Sequence, residues 1–149
     1  MSNHTVHIRT ATADDDDVVS ELLTELGYAT NPVEVPARLA AVLAEGGVVV
    51  LAIGAAGEPL GLMCLTKHAV LHAPRRVAYI IALITTSTAR RRGVGRRLVT
   101  AAKEWAQQEG CVRLSVTSAE HRTDAHAFYP ACGLPYTGRR FAIPISPTI

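Results

Sequence analysis

Five arginines fall within the eight residues Arg90, Arg91, Arg92, Gly93, Val94, Gly95, Arg96 and Arg97, a third of the fifteen basic side chains in the chain. They surround a Gly-Val-Gly that stands where a helix begins. The first N–H groups of a helix have no partner inside it, and the backbone dipole makes that end positive. An arginine placed there costs on the order of 0.3–1 kcal/mol in the free protein, a term whose sign a bound polyanion reverses. Without side chains at Gly93 and Gly95, an anion such as phosphate can approach the amides closely. Arg90, Arg91 and Arg92 with the two glycines therefore read as an anion site. Arg97 reads instead as a long side chain splayed into water.

Two familiar phosphate loops fail on residues. The nucleotide-hydrolase loop requires G-x-x-x-x-G-K-[ST], a spacing absent from the sequence. The dinucleotide fingerprint requires a small residue three positions after the second glycine, where Leu98 stands.

The elements that must carry this loop can be read from periodicity. Val94, Leu98, Ala101, Ala102 and Trp105 form one apolar stripe of a helix that runs to Gln108 and stops at Gly110. The uninterrupted apolar run Val77–Thr85 before the loop reads as a strand in the middle of a sheet. Val112–Thr117 reads as the strand after the helix. Upstream, Val6–Ala11 alternates like a short strand, and Thr12 caps a helix over Val18–Leu26 whose acidic start, Asp14–Asp17, suits the dipole. A second helix is expected over Pro36–Glu45, and a hairpin over Val48–Ile53 and Leu60–Lys67. Ala125–Phe128 reads as a short helical piece and Phe141–Ile145 as a last strand.

Composition sets the frame. The chain has 149 residues, nearly half of them hydrophobic and about a fifth charged, with a net charge of +2. That suits one folded α+β domain, residues 1–149, with basicity confined to one patch. Cys64, Cys111 and Cys132 are odd in number and form no C-x-x-C pair, so neither a disulfide framework nor a metal site is expected. His68 and His72 are four apart, but at a strand end without a third ligand. No apolar run reaches the roughly 18–20 residues of a membrane span, and the polar, acidic N-terminus is unlike a signal peptide. A cytoplasmic location without membrane association is the expectation. Four tyrosines, two phenylalanines and one tryptophan offer little for base stacking, which argues against a nucleic-acid partner.

Two motifs in register resemble a known family. Arg90-Arg91-Arg92-Gly93-Val94-Gly95 fits the [Q/R]-x-x-G-x-[G/A] signature of the GNAT family, the Gcn5-related N-acetyltransferases. Ala125–Leu134, AHAFYPACGL, resembles the A-x-x-F-Y-x-x-x-G-F segment of the same family. The resemblance runs over roughly residues 6–143. It implies a mixed, mostly antiparallel sheet with a parallel strand–helix–strand core that binds acyl-CoA. It implies acetyl-CoA as acyl donor, no metal, and an amine acceptor; a homodimer is compatible with it. The diphosphate would be held at Arg91, Arg92, Gly93, Val94, Gly95 and Arg96, with Arg90 opening the signature. The pantetheine arm would pair with the backbone of Leu83, Ile84 and Thr85. The amide of one of these, assigned to Thr85, would polarise the thioester carbonyl. Tyr129 would act as general acid toward the departing thiolate, a phenol of pKa about 10 beside a thiol of about 8.5. Phe128 fills core.

Departures from the pattern accompany these matches. Pro130 follows Tyr129 and is expected to kink or end the local helix there. Leu134 replaces the usual phenylalanine. The run Val77–Thr85 lacks an acidic residue that could serve as general base, leaving Tyr79, Glu120 and His121 as candidates of equal standing, with a base acting through water, or none at all, equally open. Arg139 and Arg140 read as solvated. The leading acceptor is a small-molecule amine. A protein N-terminal or lysine acetyltransferase and a non-catalytic acyl-CoA sensor are the alternatives.

Overall fold

The computed structural model describes residues 5–25, 27–28, 30–89, 92–117, 123–138 and 140–146. In chain order the elements are β1 (Val6–Thr10), a 3-10 turn (Ala13–Asp15), α1 (Asp16–Glu25), α2 (Val35–Ala44), β2 (Val48–Gly54), β3 (Pro59–His68) and β4 (Val77–Thr85). A second 3-10 turn (Ser87–Ala89), α3 (Val94–Gln108), β5 (Leu114–Val116) and α4 (Thr123–Ala131) follow. The chain divides into two compact units, Met1–Val116 and Thr117–Ile149.

In the first unit the strands form one sheet in the order β1-β2-β3-β4-β5. Three pairings are antiparallel and only β4–β5 is parallel. That parallel pair needs a crossover, and α3 supplies it. The mixed α+β architecture expected from the sequence is the one observed.

Strand alternation builds two cores. Val50, Ala52, Met63, Leu65 and Ile80 share one core with Val94, Leu98 and Ala102 of α3. Val49, Leu51, Leu62 and Ile84 share the other with Val19 and Leu22 of α1 and Val35 and Leu39 of α2. Both faces of β2 and β3 are thus covered, and their sequences are correspondingly apolar at nearly every position. The approach of α3 to the sheet is close at Gly61. A Cβ there would stand 3.1 Å from Val94 Cγ1, 3.2 Å from Leu98 Cδ1 and 2.9 Å from the Ile84 carbonyl.

The start of α1 forms as expected. Thr12 Oγ1 accepts from the Asp14 amide at 3.3 Å, and Asp15 Oδ2 accepts from the Thr12 amide at 2.8 Å, a reciprocal capping box. Asp15 also takes two hydrogen bonds from Arg9, at 2.8 and 2.9 Å. The Arg9 guanidinium holds its carboxyl well below the usual range, at about 2. Arg97 departs from its expected place in water: its guanidinium donates to the Val6 carbonyl, tying α3 to the edge strand β1.

In the second unit α4 runs on through Pro130 to Ala131 instead of stopping at Tyr129. The proline sits in the last turn, where its missing N–H interrupts little. The Cys132 amide bonds Phe128 O at 3.0 Å, and the Leu134 amide bonds Tyr129 O at 2.9 Å around Gly133, whose φ is 91°. This is a C-terminal cap of the glycine type. The expected last strand is not formed. Residues 140–146 have no regular structure, and Phe141, Ile143 and Ile145 are 78–89% exposed. An alternating apolar segment becomes a strand only where a neighbouring edge accepts its hydrogen bonds, and no such pairing involves these residues.

Candidate functional site

The β4–β5 ladder is short. It runs from Ala78↔Leu114 to Ile80↔Val116, while β4 continues to Thr85. Among the described residues, no strand pairs with Ile81–Thr85 on the β5 side. Among the described residues β4 therefore carries an open edge five residues long, at a fork between β4 and β5.

Hydrogen-bond parity tells which peptides face that edge. Ala78 donates its amide to Arg113 O at 2.8 Å, toward β5. Thr86, just past β4, donates to Leu60 O at 2.9 Å, toward β3. Counting back by twos from Thr86, the peptide groups of Ile84 and Ala82 face β3, and those of Leu83 and Thr85 face the open edge. The parity changes at Ile81, which has no partner in the β3 register: Cys64 pairs with Ala82 and Leu65 with Ile80. Ile81 is thus a bulge residue, and it is 60% exposed although the strand is flanked by neighbours on both sides of the sheet.

Of the three strand residues expected to meet the cofactor, Leu83 and Thr85 turn their peptides outward. Ile84 does not; its peptide faces β3 and its side chain is buried in the α1–α2 core. No sequence pattern distinguishes the three, because a continuous apolar run conceals both the bulge and the parity it sets.

The open edge leads to the start of α3. Gly93 is the N-cap residue and adopts φ 72°, ψ 18°, the left-handed region in which a side chain is strained. A Cβ at Gly93 would meet nothing within 4 Å, so the space outside it is open. The first helical bond runs from the Arg97 amide to Gly93 O at 3.0 Å, so Val94 and Gly95 precede it and cannot bond backward within the helix. The first turn holds no acidic residue and no side chain caps it. A left-handed glycine, an uncapped start and a first turn without acidic residues together suit an incoming anion.

Arg90 and Arg91 lie outside the described residues, as do Glu120, His121 and Arg139. Val94 is buried against the sheet, so it offers its backbone and not its side chain. Arg96 is exposed beside the first turn. Arg92 turns inward: its side chain is 18% exposed and lies 3.9 Å from Glu58 Oε1 on the β2–β3 turn. Sequence distance hides that partner, since both β3 and β4 lie between Glu58 and Arg92.

Tyr129 belongs to the second unit, on α4, where it is half-buried and its ring meets Phe128 edge-on at 5.1 Å. Tyr79 stands on β4 before the fork, its ring 5.6 Å from that of His68, whose Nε2 lies 3.0 Å from Thr66 Oγ1. Burial pushes the Cys64 thiol up from its ordinary value, so it is a poor nucleophile.

The family model for the acetyltransferase (GNAT) family matches residues 16–134. The chain belongs to the GNAT acetyltransferases. Its relatives include an uncharacterized N-acetyltransferase of Bacillus subtilis, 39% identical over 51 residues, which are 34% of this chain and 36% of that one. An aminoglycoside N(6′)-acetyltransferase type 1 of Stenotrophomonas maltophilia is 38% identical over 58 residues, 38% of each chain. The matches thus span about two-fifths of the length of these curated relatives. Among solved structures, an acetyltransferase of Trypanosoma brucei shares the fold with a TM-score of 0.82 and 21% identity, over 95% of this chain and all of that one. An aminoglycoside N-acetyltransferase in complex with CoA shares it with a TM-score of 0.83 and 17% identity, over 95% of each. These last two are likenesses of fold. The open edge of β4 and the bare start of α3 both lie within the stretch that the family model matches.

Proposed function

We propose that this GNAT acetyltransferase moves an acetyl group from acetyl-CoA to the primary amine of a small molecule, by direct attack within a ternary complex. The observation that carries the reading is the outward-facing pair of peptides at Leu83 and Thr85, on an edge that ends eight residues before the uncapped glycine start of α3. An extended pantetheine arm completes such an edge as a missing strand would. The diphosphate then falls to the amides of Gly93, Val94, Gly95 and Arg96, with Arg91 and Arg92 adding positive charge and Arg90 opening the loop.

In the reaction a neutral amine attacks the acetyl carbon, a C–N bond forms, and the C–S bond breaks. Negative charge develops first on the carbonyl oxygen. The Thr85 amide is the assigned donor to it, fixed in direction by strand pairing before the reaction starts. The charge passes to the sulfur, where the Tyr129 hydroxyl supplies a proton to the thiolate. The amine's proton leaves to solvent or to a base. Donor and acceptor are bound together, so no acyl-enzyme is formed.

The small-molecule acceptor is supported by two relatives that are aminoglycoside N(6′)-acetyltransferases. In this reading residues 1–149 work as one N-acetyltransferase domain without a metal. A panel of aminoglycosides, polyamines, amino acids and short peptides, incubated with acetyl-CoA and read by release of free thiol, tests it. Turnover with a small amine is the expected result. Turnover with peptides alone replaces the acceptor class, and silence across the panel with CoA binding intact makes the chain a sensor.

A further inference from the structure

The carboxylate of Glu58 occupies a built position. Its backbone closes the β2–β3 turn, with the Gly54 amide donating to Glu58 O at 2.8 Å. Its side chain folds back over the turn and accepts from the Ala56 amide at 2.9 Å. Gly54 makes room for it: a Cβ at that position would lie 1.9 Å from Glu58 Oε1. The same oxygen faces Arg92 Nη1 at 3.9 Å. The Arg92 Nε is buried and has no hydrogen-bond partner among the described residues. The carboxylate of Glu58 is the opposite charge that faces this inward-drawn guanidinium.

Arg92 is the residue immediately before Gly93, so whatever fixes its side chain also fixes where the left-handed turn begins. Its amide bonds Ala89 O at 3.2 Å, which continues the same restraint along the backbone. We propose that Glu58 is a positioning residue for the coenzyme: it acts through Arg92 to hold the Gly93–Gly95 turn in the shape that receives the diphosphate. The β2–β3 turn thereby becomes part of the binding machinery, although it contributes no atom to the ligand. This inference rests on the donor site proposed above.

Two effects of removing the Glu58 charge oppose each other. Loss of a nearby negative charge favours an anion, and this effect fades as salt rises. Loss of positioning weakens binding at any salt. The test is calorimetric titration of CoA into the full chain and into Glu58→Ala, Glu58→Gln, Arg92→Ala and the double variant Glu58→Ala/Arg92→Ala, at low and at high salt. Circular dichroism melting of each variant identifies those that fold.

Wild-type binding of CoA comes first; its absence sinks the donor site itself and leaves the role of Glu58 without meaning. Given that binding, Glu58→Ala weakens CoA by about fivefold at high salt, and Glu58→Gln, which keeps the bond to Ala56, weakens it less. The double variant binds no more weakly than Arg92→Ala, because the two residues act in series. Wild-type affinity in a folded Glu58→Ala or Glu58→Gln overturns the proposal, as do tighter binding at high salt and losses that simply multiply in the double variant.

Discussion

Thr86 gives its amide hydrogen to the carbonyl of Leu60 across 2.9 Å, and this bond sets the direction of every peptide in the second half of β4. It directs Ile84 toward β3 and leaves Leu83 and Thr85 facing the side on which β5 has already ended. A strand inside the sheet thus exposes two of its peptides in the half that leads to α3, where the proposed coenzyme arm would pair.

The Gly93 turn answers to a small change. With φ at 72°, Gly93→Ala forces a side chain into the left-handed region at a cost of about 1–2 kcal/mol. A fall of a few degrees in melting temperature is expected from that cost. Among the described residues a Cβ there meets nothing within 4 Å, so any loss of CoA affinity beyond the stability change reports on the ligand side of the turn. Calorimetry alongside thermal melting separates the two. Unchanged CoA affinity in a folded variant would remove this turn from the site.

Gly61→Ala places a methyl group between β3 and α3, where Leu98 and Val94 already stand at 3.2 and 3.1 Å. Overpacking of that kind costs about 1–3 kcal/mol. Denaturant unfolding should show the loss, and CoA binding should weaken as well, since α3 is displaced from the end of the open edge.

Arg97 and the signature arginines should part company. Arg97→Ala removes a bond to Val6 O and should lower stability by about 1 kcal/mol while leaving CoA affinity within about twofold of wild type. Neutralising Arg91 should do the reverse, weakening CoA in a salt-dependent way with little effect on melting.

Asp15 carries an acid-sensitive part of the stability. Its carboxyl is held at about 2 by Arg9, below the roughly 3.9 of an unfolded aspartate. A lowered folded value contributes stability at all pH above the unfolded value, lost as pH falls from about 5 toward 2. The pair is partly exposed, so the loss is on the order of 1 kcal/mol. Asp15→Asn should be less stable than wild type at pH 7, and the gap should close toward pH 2. A gap independent of pH would mean that ionisation of this carboxyl contributes nothing to stability.

Tyr129→Phe isolates the acid. A loss of turnover of about a hundredfold with CoA affinity retained is expected if the hydroxyl protonates the thiolate. Unchanged turnover would make Tyr129 a packing residue beside Phe128.

Periodicity was enough to read most of this architecture. Val77–Thr85 forms a strand over the span its apolar run suggests, and the α3 stripe buries Leu98 and Ala102 as its spacing requires. What stayed hidden depends on contacts between distant segments. The bulge at Ile81, the turn of Ile84 toward β3, the Glu58–Arg92 approach and the Arg97–Val6 tie each need a partner 15 or more residues away in sequence. The strand expected at Phe141–Ile145 failed for the same reason: alternation describes a face, and pairing requires an edge. Pro130 does not end the helix, because a proline in the last turn sacrifices only one bond.

Residue-resolved amide hydrogen exchange, with and without CoA, addresses the central claim most directly. Exchange at Leu83 and Thr85, and at Gly93 to Gly95, should slow markedly when CoA is bound, while Ile84, already bonded within the sheet, should change little. Protection of Ile84 with Leu83 and Thr85 unaffected, or protection confined to residues away from β4 and α3, would contradict it.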